Sequence, residues 1–141
     1  MISKNYKLVY ELLSRVDADF NPPLSSSLDL VEYSKKICTN ASLFKKIKNN
    51  SLIGLCAIYA TDKSNFQAYL TMLAIDPVYR GLGLAKELLT EMEEYVLSQG
   101  FKCIRLEVYK TNVGAFLMYK SFGYEIVEES CSSYFLQKKI K

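Results

Sequence analysis

The chain has 141 residues, enough for one domain with its own core and too few for two. Half of them are hydrophobic and 23% are charged, which excludes a disordered polymer, and a net charge of +3 without a dense Lys/Arg stripe argues against broad nucleic-acid binding. Histidine is absent, which excludes Ser-His-Asp and Cys-His nucleophiles, His-ligated metals and histidine general bases.

Met1 to Lys7 lack the apolar run of a secretory signal. No apolar stretch reaches the roughly 20 residues of a membrane span. The longest, Leu52 to Ala60, is interrupted by Gly54. Asn5 to Asp17 predicts a helix, with Leu8, Val9, Leu12, Leu13 and Val16 at helical spacing. Pro22-Pro23 then stops it. Leu28 to Cys38 predicts a second helix, carrying Leu30, Val31, Ser34 and Ile37 on one side and Ser27 as its cap. Ser42 to Lys48 and Ser51 to Thr61 read as a hairpin turning at Asn49-Asn50, a pair tolerant of positive φ. Gly54 within it signals a bulge or a close approach. Ala68 to Ile75 is apolar on both faces, as a covered central strand would be.

Lys86 to Ser98 predicts a helix with Leu88, Leu89, Met92, Tyr95, Val96 and Leu97 apolar and Glu87, Glu91, Glu93 and Glu94 on a wet face; Gly100 ends it. Cys103 to Tyr109 reads as a strand with Ile104, Leu106 and Val108 on one face and Arg105 and Glu107 on the other. Asn112 to Phe122 is a helix closed by Gly123, and Tyr124 to Glu128 and Tyr134 to Lys138 complete a strand pair. The order gives a mixed α/β sheet rather than a doubly wound one. Cys38, Cys56, Cys103 and Cys131 are too dispersed for a disulfide framework or a zinc ribbon, so they are expected as reduced thiols of a cytoplasmic protein.

The chemistry concentrates between Leu73 and Lys86, where an apolar strand runs into a two-glycine loop and then a helix. Glycines let main chain approach a ligand closely, and the first helical amides lack internal partners beside the positive end of the dipole. Together they make a site for an anion such as a pyrophosphate, with Arg80 as a positive charge at its mouth. It is not a Walker A loop, because Gly83-Leu84-Ala85 replaces Gly-Lys-Ser/Thr. Nor is it a dinucleotide fingerprint, because Lys86 stands where the third glycine belongs.

The run Arg80-x-x-Gly83-x-Ala85, with its lead-in Ile75-Asp76-Pro77-x-Tyr79-Arg80-Gly81, resembles the acetyl-CoA loop of the GNAT N-acetyltransferases. A second block, Leu106-Glu107-Val108, Asn112, Ala115, Tyr119, Gly123 and Tyr124, resembles the same family's strand-helix pattern. The two blocks cover about Ala68 to Glu128. The resemblance implies one α/β domain over residues 1–141, its mostly antiparallel central sheet split between strands Ala68–Ile75 and Cys103–Tyr109, with helices on both faces. It implies an acetyl-CoA-binding core at 68–128 and an acceptor side in the helical region 1–40, which opens with a helix where relatives commonly open with a strand.

By the same resemblance the main chain of Leu73, Ala74 and Ile75 pairs with the pantetheine arm. Arg80, Gly81, Leu82, Gly83, Leu84, Ala85 and Lys86 hold the pyrophosphate, and Asn112, Ala115 and Tyr119 face the cofactor. Tyr119 would be the general acid for the departing thiolate, although periodicity alone makes it a core aromatic. Glu107 would be the base, direct or through water; the plain reading is a solvated or paired carboxylate. No metal is implied. The partner is a small-molecule or peptide amine, with no membrane, and a homodimer is left open. Rival readings are a non-catalytic acyl-CoA-binding module and a GNAT-type toxin acting on aminoacyl-tRNA.

Overall fold

The computed structural model describes residues 6–141; Asn5, where the first helix was expected to begin, lies outside them. Helix α1 (Tyr6–Val16) buries Val9, Leu12, Leu13 and Val16 of the stripe predicted from spacing, with Leu8 partly buried at its edge. Each such side chain contributes roughly 1.5–3 kcal/mol through removal from water. Helix α2 (Leu30–Asn40) starts two residues later than Ser27 would cap it. Asp29 is the cap: its Oδ1 accepts from the amides of Val31 at 3.0 Å and Glu32 at 3.1 Å. A carboxylate suits the positive end of the helix better than a hydroxyl does.

Strands β1 (Ser42–Lys48), β2 (Ser51–Asp62), β3 (Gln67–Ile75), β4 (Cys103–Tyr109), β5 (Glu125–Glu129) and β6 (Ser133–Lys139) form one sheet in the order β1-β2-β3-β4-β6-β5. Only β3 and β4 run parallel. Helices α1 and α2 pack on one face, against Leu55, Ala57, Met72 and Ala74. The other face carries α3 (Leu84–Ser98) and α4 (Val113–Ser121), which cover Cys56, Ile58, Leu70, Ile104 and Leu106.

Gly54 fills both roles its position suggested. It lies beside the β1–β2 bulge at Lys46/Ile47, and a Cβ there would sit 3.2 Å from Ile75 Cδ1 and from Leu88 Cδ1. Strand β3 is not covered on both sides throughout, as its composition suggested. Tyr69 is 36% exposed while Ala68 and Leu70 are buried. A bulge at Thr71 shifts the register from Ile58–Leu70 to Ala57–Met72. After it, Met72 and Ala74 join the α1/α2 core while Leu73 and Ile75 turn toward α3. A bulge bends its strand. Accordingly β3 pairs with β4 only from Gln67 to Leu70, and beyond Leu70 the two strands part.

The acidic stripe of α3 is not wholly wet. Glu93 is 14% exposed, accepting from Tyr124 Oη at 2.9 Å and Lys138 Nζ at 2.8 Å. Tyr124 is fully buried, and its hydroxyl requires an acceptor there. Lys46 ties β1 to the same helix through Glu91 at 2.8 Å.

Candidate active site

Where β3 and β4 part, a cleft of about 1050 Å³ opens. Its floor is the β3 main chain at Leu73, Ala74 and Ile75, which pairs with β2 on one edge and with no strand on the other. One wall is the loop that follows β3. Asp76 builds that loop: Oδ1 accepts from the Val78 amide at 3.0 Å, Oδ2 from Arg15 Nε at 2.8 Å, and the Asp76 amide donates to Ile53 O at 2.8 Å. Gly81 (φ 80°) and Gly83 (φ 81°) then take left-handed conformations that a side chain would strain. Among the described residues the amides of 81–86 have no main-chain acceptor; the first bond at the start of α3 runs from the Glu87 amide to Gly83 O at 3.1 Å. The result is a row of outward donors at a helix N-terminus, suited to an anion.

Gly81, Gly83, Leu84, Ala85 and Lys86 line the cleft, whereas the Leu82 side chain does not and is 65% exposed, leaving only its amide to serve. Arg80 stands at the mouth with its guanidinium engaged. Nε donates to Ile75 O at 3.2 Å and Nη2 to Asp19 at 2.8 Å.

The opposite wall is the β4–α4 junction. Asn112 caps α4, its Oδ1 accepting from the Ala115 amide at 3.3 Å, and both residues line the cleft. Tyr119 also lines it. Its ring is packed edge-on against Tyr124, centroids 5.7 Å apart, yet its hydroxyl has no hydrogen-bond partner among the described residues. Burial pushes its pKa up, and the Cys56 thiol adds to this, so the group stays protonated through neutral pH. Glu107, exposed on β4, accepts from Ser133 Oγ at 2.7 Å. The two residues proposed for proton transfer thus line one cavity, as do the predicted cofactor contacts other than Leu82.

Sequence reasoning missed the cover of the cleft. The segment after α1 crosses the gap, held on the β3 side by Asp19–Arg80 and on the β4 side by Thr111 Oγ1 donating to Asn21 O. Asp19, Phe20, Leu24 and Leu28 line the cavity with Tyr33, Tyr69 and Tyr109. Tyr33 is fixed by its hydroxyl on Thr71, 2.8 Å from Oγ1, and burial raises its pKa to about 12. These partners lie 38 to 90 positions apart in sequence, and no local pattern announces them.

Residues 9–124 match the family described as Acetyltransferase (GNAT) family. The chain belongs to that family. Spermine/spermidine N(1)-acetyltransferase of Bacillus subtilis (strain 168) is 31% identical over 77 residues, 53% of this chain and 50% of that protein. The chain therefore spans about half the length of that relative. The ribosomal protein bS18-alanine N-acetyltransferase of Haemophilus ducreyi is 28% identical over 113 residues, covering 77% and 78% of the two chains. In fold, this GNAT domain resembles the Thermoplasma acidophilum PaiA N-acetyltransferase, solved in complex with coenzyme A, with a TM-score of 0.76 at 17% identity over 96% and 93% of the chains. The Escherichia coli ribosomal-protein-S18-alanine N-acetyltransferase superposes with a TM-score of 0.80 at 17% identity over 100% and 91%.

The family's co-substrate is acetyl-CoA, and the GNAT residues here fit it: open amides at 81–86 for phosphates and an unpaired β3 edge for an extended amide chain. Among the described residues no group of three or more His, Cys, Asp or Glu side chains is placed to hold a metal ion, and no helix is long and apolar enough to cross a membrane.

Proposed function

We propose that the protein transfers the acetyl group of acetyl-CoA directly onto a primary amine. The observation that carries this is Tyr119: a buried phenol on the wall of a cleft, held protonated and without a protein partner for its hydroxyl. Tyr124 beside it gives its hydroxyl to Glu93, and Tyr59, whose buried hydroxyl also has no partner among the described residues, does not line this cleft.

In this reading residues 68–128 bind the co-substrate and residues 1–40 shape the acceptor side. The amides of 81–86 with Arg80 and Lys86 hold the pyrophosphate, the β3 edge at Leu73–Ile75 pairs with the pantetheine, and Asn112 and Ala115 close the opposite wall. Acetyl-CoA supplies an activated acyl thioester. An amine near neutral pH is mostly protonated, its pKa being about 10, so a proton must leave before nitrogen can attack. Glu107 takes that proton, directly or through water. Main-chain donors on β3 polarise the carbonyl as the C–N bond forms and the C–S bond breaks. Tyr119 donates its proton to the leaving sulfur and is restored from solvent. Juxtaposition of the reactants supplies most of the acceleration, up to about 7–11 kcal/mol, and the positioned acid about 10²–10⁴-fold.

The acceptor is a small-molecule or peptide amine; relatives named for spermine and for a ribosomal-protein alanine supply the first probes. The test has two parts. Acetyl-CoA should raise the melting temperature by mass action, and an amine panel containing spermine and an alanine-terminated peptide should show CoA thiol release. Stabilisation by NAD or ATP but not by CoA would defeat the reading.

A further inference from the structure

Strand β4 carries opposite charges on one face, Arg105 and Glu107, two positions apart and both close enough to Tyr69 to influence it. They do not pair. The Arg105 guanidinium lies over the Phe135 ring, 5.4 Å from its centroid, and Nη2 donates to Glu128 Oε1 at 2.7 Å. Phe135 is the register partner of Glu107 on one side and of Glu128 on the other. The guanidinium therefore rests on a ring between two carboxylates and takes the outer one.

Glu107 keeps a neutral partner. Ser133, fully buried, donates to its Oε2, and Ser133 is itself fixed by Ser130, whose Oγ accepts its amide at 3.0 Å. The next cation along the chain, Lys110, is drawn to Glu129 over the Tyr134 ring. Among the described residues Glu107 forms no ion pair, although it lines the cleft.

We propose that Glu128 is a positioning residue of the acceptor site: by holding Arg105 outward over Phe135, it leaves Glu107 free for the ammonium group of the acceptor. This rests on the role given to Glu107 above. The Arg105–Glu128 pair is partly solvated, at 30% and 62% exposed, so it is worth no more than about fivefold in an equilibrium. Loss of Glu128 is then enough to let the guanidinium turn to Glu107, where it competes with a substrate cation.

The experiment compares E128Q, E128Q/R105Q and E107Q with the wild type, using CoA thiol release with spermine and with an alanine-terminated peptide, together with a crystal structure of E128Q. E128Q should raise the KM for the amine about three- to fivefold and leave that for acetyl-CoA unchanged. Adding R105Q should restore the amine KM, a rescue that a merely structural Glu128 would not give. In the crystal, Arg105 should move to within about 4 Å of the Glu107 carboxylate. An unchanged amine KM in E128Q, or an Arg105 still resting over Phe135, overturns the proposal. If neither amine is turned over, the crystal structure decides alone. Full activity of E107Q instead removes Glu107 from the acceptor site and leaves the arginine's choice of partner standing.

Discussion

On the α3/α4 side of the cleft, the site is assembled from residues near one another in sequence: the β3 end, its two-glycine loop and the first turn of α3, then the end of β4 and Asn112. On the α1/α2 side, it is assembled from distant pairs, Asp19 with Arg80 and Asn21 with Thr111. The first side offers main-chain amides in a geometry set by glycine torsions. The second offers side chains held at solvated points above an apolar core of Val9, Leu12, Leu13 and Ile37. In the function proposed, a fixed main-chain cradle would serve the pyrophosphate, which is the same in every acyl-CoA, while acceptors differ and a cover pinned by a few polar contacts could be altered without disturbing either core.

The sharpest test of the main-chain side is Gly83→Asp. No atom lies within 4 Å of the Cβ it would add, so the damage is not a clash. The left-handed φ of 81° costs about 1–2 kcal/mol with a side chain present, and a carboxylate would face the phosphates. Stabilisation by acetyl-CoA in a melting assay should vanish, while Gly83→Ala, strained but uncharged, should retain part of it. Full stabilisation of Gly83→Asp would show that the loop amides are not the cradle.

Tyr119→Phe should have the next largest effect. A thiol with a pKa near 8.5 leaves readily, so loss of the acid should lower kcat by about 10²-fold, the low end for such groups. The hydroxyl has no protein partner to orphan, so stability should change by less than about 0.5 kcal/mol. Steady-state kinetics and a melting curve on one variant read both; wild-type kcat would remove the phenol from the mechanism.

The smallest effect is expected at Asp19→Asn. Its partner Arg80 is solvated, and such pairs contribute at most about 1 kcal/mol. Amide exchange should quicken across residues 17–28, with acetyl-CoA affinity kept within about twofold. A tenfold loss of that affinity would break the contrast between the two sides, because the cover and the cradle would then act as one unit.

What the sequence determined by itself was whatever depends on neighbours in the chain. Hydrophobic spacing placed the four helices and six strands to within a few residues. The glycines at 81 and 83 marked the loop between β3 and α3, where both take a positive φ, a local torsion. The Arg80–Ala85 and Leu106–Tyr124 blocks carried the family for the same reason. What only the tertiary structure decided was who answers whom among polar side chains. Glu93 lies within an acidic stripe, yet it is largely covered because Tyr124 arrives beside it 31 positions later. Asp29 displaced Ser27 as a cap through the exact point at which α2 begins. Arg105 finds Glu128 rather than Glu107 because β6 lies between β4 and β5 and lays Phe135 under the guanidinium. Apolar burial depends on the sum of contacts and tolerates small shifts, so a periodic pattern suffices to announce it. A hydrogen bond or ion pair must be met within a few tenths of an ångström by one particular partner, and strand order alone brings that partner near.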